Sequence, residues 1–179
     1  RLAAAHEELS AEGAVEVVVI TTTGDAVRDR SLAEIGGKGL FMKEIEEALV
    51  AGQVDLALHS MKDVETFLTP GTDIACILAR EDPRDAFLSN LADHIDSLPE
   101  GAVVGTSSVR RVALVKNRRP DLRTVMYRGN VDTRLAKLEA GEVDATLLAI
   151  AGLNRLGLGD RATRILEVEE MPPAVAQGA

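Results

Sequence analysis

The sequence has 179 residues, 46% of them hydrophobic, and a formal net charge of −9. That length and apolar content suit one large or two small globular domains. No apolar run approaches the roughly 20 residues of a membrane-spanning helix, and the chain does not open with a signal peptide. We therefore expect a cytoplasmic protein that has no membrane partner.

Short apolar runs and amphipathic stretches alternate along the chain. Strands are predicted at residues 15–20, 54–59, 74–78, 102–105, 124–127 and 145–150, and helices at residues 41–51, 108–117 and 131–140. This alternation is typical of an α/β fold with largely parallel sheets. Cys76, the single cysteine, falls in the third predicted strand and is expected to be a buried free thiol.

Two five-residue segments predict a repeated helix-glycine-strand unit. AGQVD at residues 51–55 and AGEVD at residues 140–144 both end a predicted helix, with a glycine suited to a left-handed cap. The repeat favours two similar α/β lobes, although chance is a competing explanation. The charged segment 80–85 would cross between the lobes and Met171-Pro172-Pro173 would return, which leaves a cleft between them.

Positive charge is concentrated in one block. Residues 105–137 contain nine Lys or Arg and two Asp, a local charge of +7, so the remainder carries −16. This pattern favours a specific anionic ligand. Nucleic acid is the alternative, but single-strand binders stack bases on aromatic rings and Tyr127 is the one aromatic residue in the block. We therefore expect no nucleic-acid partner.

Two predicted strand-to-helix turns bring the arginines of this block together. In GTSSVRR at residues 105–111, Ser107 or Ser108 can cap the helix, and Arg110 and Arg111 add forked donors for a carboxylate or phosphate. In YRGNVDTR at residues 127–134, two further arginines flank a second turn. The carboxyl ends of parallel strands line one crevice, so these arginines should converge there. Solvated surface arginines are the alternative interpretation.

A different segment supplies a candidate catalytic pair. HSMKDV at residues 59–64 follows a predicted strand and places Lys62 beside Asp63, although adjacent opposite charges on a loop are also common on protein surfaces. His59 is interpreted as structural. The glycine-rich segment 35–39 is expected to be a mobile loop over the cleft. We find no metal-ligand spacing and no nucleotide-binding loop, so no metal is predicted.

Together these motifs resemble the hydroxymethylbilane synthase (porphobilinogen deaminase) family. The matching segments are GGKGLF at 36–41, HSMKDV at 59–64, REDPRDAF at 80–87, GTSSVRR at 105–111, RGNV at 128–131 and AIAGL at 149–153. The resemblance implies a monomeric transferase of porphyrin biosynthesis that condenses four porphobilinogen molecules into a linear tetrapyrrole with loss of ammonia. It also implies three domains, the first two resembling type II periplasmic binding proteins. Residues 1–79 with 171–179 would form domain one, and 84–170 domain two.

The resemblance also implies the roles of individual residues. Asp63 would be catalytic, stabilising the positive charge that develops on the pyrrole, and neighbouring basic residues should lower its pKa. The family's dipyrromethane cofactor is attached through a cysteine of domain three that has no counterpart here, so this stretch alone is expected to be inactive. Substrate and cofactor would be bound by Lys38, Ser60, Lys62, Thr106, Ser107, Ser108, Arg110, Arg111, Arg128, Gly129, Asn130, Arg134 and Arg155.

Two residues depart from the family pattern. Glu65 stands where a proline usually follows the valine, and Ala176 replaces a glycine of the tail motif. Both changes leave the expected ligand-binding residues intact. They concern the shape of the loop after Asp63 and the geometry of the tail. A two-lobed anion receptor without chemistry is the alternative to the enzyme, because it would use the same arginines.

Overall fold

The structure, a computed structural model, describes residues 7–26 and 39–179. Within these ranges the α-helices are α1 (Thr23–Ala26), α2 (Lys43–Val50), α3 (Val109–Arg118), α4 (Val131–Glu139) and α5 (Ile150–Arg155). Short 3-10 helices cover Glu7–Leu9, Met61–Asp63, Ile95–Ser97 and Gly159–Arg161. None of the helices described is long and apolar enough to cross a membrane.

Five strands form one open sheet in the order β3-β2-β4-β1-β5. The strands are β1 (Asp85–Ser89), β2 (Val103–Gly105), β3 (Arg123–Val125), β4 (Ala145–Ala149) and β5 (Arg164–Ile165). Strand β2 pairs in parallel with both β3 and β4, whereas β1 runs antiparallel to β4 and β5. The fold is therefore mixed α/β, and the predicted parallel pairing holds for the β3-β2-β4 half of the sheet.

Apolar side chains cover both faces of this sheet. Along β1, Phe87 joins one buried cluster with Val115 of α3, while Ala86 and Leu88 join a second cluster with Leu135 of α4. Successive side chains of a strand point to opposite faces, so the clusters lie on opposite sides of the sheet. Burial on both faces explains why residues 86–88 of β1 and residues 147–149 of β4 are continuously apolar instead of alternating with polar residues.

Several predicted elements match the structure closely. The strands predicted at 102–105, 124–127 and 145–150 correspond to β2, β3 and β4, and the three predicted helices correspond to α2, α3 and α4. Gly52 and Gly141, the glycines of the repeated segment, have φ of 68° and 73°, as expected of left-handed residues that follow a helix. Strands β1 and β5 and helix α5 were not predicted.

The strands predicted at 15–20, 54–59 and 74–78 are wrong. These segments lack regular secondary structure and pair with no strand within the described residues, so they expose apolar side chains such as Val19, which is 87% exposed. A strand needs a hydrogen-bonded neighbour, which apolar patterning alone does not supply. For the same reason Cys76 is exposed, contrary to the buried thiol that we expected.

Candidate anion-binding site

The candidate site lies at one end of the sheet, where β2, β3 and β4 reach their carboxyl ends. The chain turns there from β2 into α3, from β3 towards α4 and from β4 into α5. Because β1 is antiparallel to β4, with Asp85 opposite Ala149, its amino end lies at the same edge. The fold thus brings an acidic residue of β1 to the turns that carry the arginine block.

The β2–α3 turn is held by the hydroxyl residues that the sequence indicated. Ser108 is the N-cap of α3 and its Oγ accepts a hydrogen bond of 3.4 Å from the Arg111 N–H. Ser107 Oγ accepts one of 3.0 Å from the Tyr127 N–H, and Thr106 is buried with its Oγ1 accepting from Ser108 N–H at 3.3 Å. These three side chains therefore shape the turn that presents Arg110 and Arg111.

Arg110 and Arg111 share one buried carboxylate, that of Asp85. Arg111 Nη2 and Nε donate to Asp85 Oδ1 and Oδ2 at 2.7 and 3.0 Å, and its Nη1 donates to Leu147 O at 2.8 Å. Arg110 Nη2 also donates to Asp85 Oδ2, at 2.7 Å. Burial would raise the pKa of Asp85, but the hydrogen bonds and charge of Arg111, with those of Arg110 and Gln177, outweigh it and lower the pKa.

The β3–α4 turn carries the second arginine pair. Asn130 is the N-cap of α4, and its Oδ1 accepts from Thr133 N–H at 2.9 Å. Arg134 reaches back from α4 and its Nε donates to Gly129 O at 2.8 Å. Desolvation lowers the pKa of Arg134, and the nearby positive charges of Arg111 and Arg128 lower it further. Arg134 is therefore within electrostatic reach of Arg111 in the other turn, and the convergence of all these arginines on one ligand stays a prediction.

Lys62 connects the preceding segment to this group. It belongs to the Met61–Asp63 turn, whose Met61 N–H donates to Ala179 O at 3.0 Å. Desolvation lowers the pKa of Lys62, Asp63 raises it, and the charges of Arg111 and Arg110 lower it. Lys62 is thus within electrostatic reach of the arginine pair, and Ser60, the N-cap of the turn, makes no side-chain cap bond.

Asp63 behaves differently from our expectation. We predicted that surrounding basic residues would lower its pKa, but desolvation raises the pKa of Asp63, and the charges of Lys62 and His59 oppose this only in part. The arginines of the two turns are therefore not among the groups that shift the pKa of Asp63. Lys62 is the member of the pair on which the arginines act.

The remaining predicted residues lie at the border of the site or outside the described ranges. Arg155, at the end of α5, is exposed and its Nη2 lies 3.5 Å from Gly178 O in the tail. Lys38 and most of the predicted loop 35–39 lie outside the described residues. A pocket of about 230 Å³ opens beside the two turns and is lined by Thr106, Ser107, Val109, Val112, Thr124, Val125, Met126 and Arg128.

Comparison with known proteins identifies the family to which this arrangement belongs. Residues 1–179 match the family model described as "Porphobilinogen deaminase, dipyromethane cofactor binding domain". The chain belongs to the porphobilinogen deaminase family. It is 59% identical over all its residues to a porphobilinogen deaminase of Nitrobacter hamburgensis, and 56% identical to a chloroplastic porphobilinogen deaminase of Oryza sativa, covering 56% and 50% of those proteins.

These comparisons confirm the family that the sequence motifs indicated. Dipyrromethane is the cofactor of the porphobilinogen deaminase family, as predicted. The chain spans about half the length of the relatives it matches. A solved methionine-binding lipoprotein of Bacillus subtilis aligns with 51% of this chain and 48% of its own at 14% identity, with a TM-score of 0.39, which does not establish two lobes.

Two residues at the site were missed by sequence reasoning. Asp85 was assigned to the crossing segment because it ends a charged run, and Gln177, which follows Ala176 in the tail, was given no role. In the structure Asp85 is fully buried, and Gln177, 1% exposed, donates to its Oδ1 at 2.8 Å. An acidic residue at the start of an apolar run, in a chain with paired arginines, was the available signal for Asp85.

Proposed function

We propose that this chain forms the substrate- and cofactor-binding part of a hydroxymethylbilane synthase, which joins four porphobilinogen molecules into a linear tetrapyrrole. The observation that carries the proposal is that the tail bonds both groups: Ala179 O accepts from Met61 N–H at 3.0 Å, and the Gln177 amide donates to Asp85 Oδ1 at 2.8 Å. On this proposal, the turn that holds Asp63 and the strand ends that hold the arginines form one site. A multiply anionic substrate that becomes cationic during reaction needs both kinds of group.

The arginines supply binding sites for the acetate and propionate groups of the pyrroles. Arg110 Nε is buried and has no hydrogen-bond partner within residues 7–26 and 39–179, so it can donate to a carboxylate without losing an existing bond. Arg134 and Arg128 add positive charge from the neighbouring turn. These donors suit the carboxylates of the dipyrromethane as well as those of the substrate. When bound, the cofactor would supply the terminal pyrrole to which each new unit is added.

Asp63 acts on the reacting pyrrole in this proposal. Loss of ammonia from porphobilinogen leaves a cation delocalised over the ring, and a nearby carboxylate stabilises that charge as it develops. The pKa of Asp63 is raised by desolvation, which brings the carboxyl closer to the pH at which it can also accept and release a proton. The positive charge of Lys62, beside Asp63 in the sequence, offsets the negative charge of Asp63 when no ligand is bound.

The domain organisation belongs to the same proposal. Residues 1–79 with 171–179 would form the lobe of Asp63, and residues 84–170 the arginine-rich lobe, in the manner of periplasmic binding proteins. One tail contact supports this division, because Ala179 O accepts from Met61 N–H at 3.0 Å. Gly178 O accepts from the N–H of Glu81, in the segment between the two lobes, at 2.9 Å. We further propose that the full-length protein is a monomer and works in the cytoplasm.

The test uses the full-length protein with porphobilinogen. We expect release of ammonia and accumulation of mass in pyrrole steps, and Asp63→Asn should lower the rate about 10³-fold while leaving the fold intact. Asp55→Asn is the matched control, since it removes the same charge from an exposed position near the turn. Binding of porphobilinogen without ammonia release would contradict the proposal and favour an anion receptor.

A further inference from the structure

Asp85 is bonded by two adjacent arginines that differ in exposure and in how many of their donors are already used. Three nitrogens of Arg111 donate to protein acceptors, and its side chain is 8% exposed. The Arg110 side chain is 24% exposed, its Nη1 donates to Pro172 O at 2.5 Å, and its Nε has no partner in the described part of the chain. Arg111 is therefore anchored, and Arg110 is the member of the pair with a donor to spare for a ligand.

The carboxylate of Asp85 is also bonded by the tail. The Gln177 amide donates to Asp85 Oδ1 and to Pro83 O, at 2.8 and 2.6 Å. Asp85 thus accepts hydrogen bonds from Arg110, Arg111 and Gln177, and the antiparallel β1 fixes its backbone at the sheet end. Paired arginines repel each other, and an internal carboxylate bonded to both holds them in a fixed geometry.

We infer that Asp85 is a positioning residue for the anion site: it aligns Arg110 towards the substrate carboxylate by anchoring Arg111 and is itself oriented by Gln177. This inference rests on the proposed function. It has a distinctive consequence, because Asp85 also cancels part of the positive charge at the site. Removal of a merely neutralising carboxylate would strengthen the binding of an anion, whereas removal of a positioning carboxylate weakens it.

Asp85→Asn in the full-length protein separates these two roles. The amide keeps one acceptor oxygen but cannot accept hydrogen bonds from the guanidinium groups of both arginines, as the carboxylate does. We therefore expect the KM for porphobilinogen to rise about tenfold while kcat changes less than about threefold. Asp85→Glu restores the charge and should recover part of the loss. Asp82→Asn is the matched control, because Asp82 also bonds an arginine, Arg84, at 2.7 Å but contacts neither Arg110 nor Arg111 in the described structure.

Unfolding curves and intact masses are measured for each variant as well as for the wild type. The rates then refer to folded protein loaded with dipyrromethane. If Asp85→Asn does not fold or load, Gln177→Met tests the same point without a charge change, since it removes a donor to Asp85 and should raise KM about threefold. An unchanged or lower KM in the tested variant, with active wild type, overturns the inference. Failure of the wild type to release ammonia overturns the proposed function instead.

Discussion

Ala176 occupies a backbone conformation that L-residues rarely adopt. Its φ is 57°, and within the described residues it is the only non-glycine residue with a positive φ. Its Cβ is crowded against the following peptide in this conformation, which is why glycine is usual there. The sequence had indicated this position, since Ala176 replaces the glycine of the family's tail motif, and the structure supplies the physical reason that glycine is preferred.

Ala176→Gly should therefore stabilise the protein. The left-handed strain of alanine exceeds the entropic cost of glycine in the unfolded chain, so we expect the free energy of unfolding to rise by about 1 kcal/mol. Ala174→Gly, two residues earlier and without a positive φ, is the control and should lower it by about 0.5–1 kcal/mol. Urea unfolding measures both. Equal shifts in the two variants would show that strain at Ala176 is absent.

Gly129 is constrained both by its backbone and by its surroundings. Its φ is 123°, and a Cβ added there would lie 2.7 Å from Thr133 Cγ2, on the cap turn of α4. Gly141 has a φ of 73° and open space around it. Gly129 lies between β3 and α4, and Gly141 follows the end of α4. The two glycines differ in φ and in the space available for a Cβ.

Gly129→Ala should thus destabilise the protein more than Gly141→Ala. We expect the second change to cost about 1 kcal/mol and the first at least about 2 kcal/mol more, because it adds a clash to a less accessible φ. Since Gly129 O accepts from Arg134 Nε, the first change should also raise the KM for porphobilinogen. Thermal unfolding and steady-state rates check this. Similar losses in both variants would contradict it.

At the scale of elements, helices α2, α3 and α4 were predictable, whereas the strands predicted in the first half of the chain were wrong. Helices α3 and α4 carry their own signals, a capping residue and one apolar face, which act over a few residues. Strand β1 begins with a buried aspartate after a charged run, so local patterning assigned Asp85 to a loop. The segments 54–59 and 74–78 have strand-like patterns, but pairing depends on partners elsewhere in the chain, which a local pattern does not specify.

The cap of α4 allows stability and ligand binding to be separated. Asn130→Ala removes the acceptor for Thr133 N–H and should lower the free energy of unfolding by about 1 kcal/mol. Asn130→Asp keeps the acceptor, so stability should be retained. The added negative charge, two residues from Arg128, should instead weaken porphobilinogen binding several-fold. Chemical unfolding and KM measured on both variants test this, and a stable Asn130→Ala protein would show that the cap bond contributes little.

At the scale of the whole molecule, the site is assembled by contacts between distant parts of the chain. Arg111 and Asp85 are 26 residues apart, and Gln177 and Asp85 are 92 apart. The motifs identified the arginines and, through the family resemblance, their substrate. They could not reveal that Arg110 and Arg111 are both bound to an internal acid, because this follows from the antiparallel direction of β1, which places Asp85 at the carboxyl ends of the other strands.

Gln177→Glu should make the stability of the whole fold depend on pH. The new carboxyl would face Asp85 Oδ1 and Pro83 O, both acceptors, so only its protonated form can donate to them. Its pKa in the folded protein should lie above that in the unfolded chain, because the ionised form is disfavoured by Asp85. The folded state is then favoured below the unfolded pKa, and that contribution is lost as pH rises through the folded pKa.

The wild-type protein should show the opposite dependence in acid, because the pKa of Asp85 is lowered in the folded state. That contribution is present above the unfolded pKa and is lost as pH falls through the folded one. Urea unfolding from pH 4 to pH 8 should therefore show the Gln177→Glu protein losing stability relative to wild type as pH increases. A difference between the two proteins that stays constant over this range would show that the tail amide and Asp85 are not coupled.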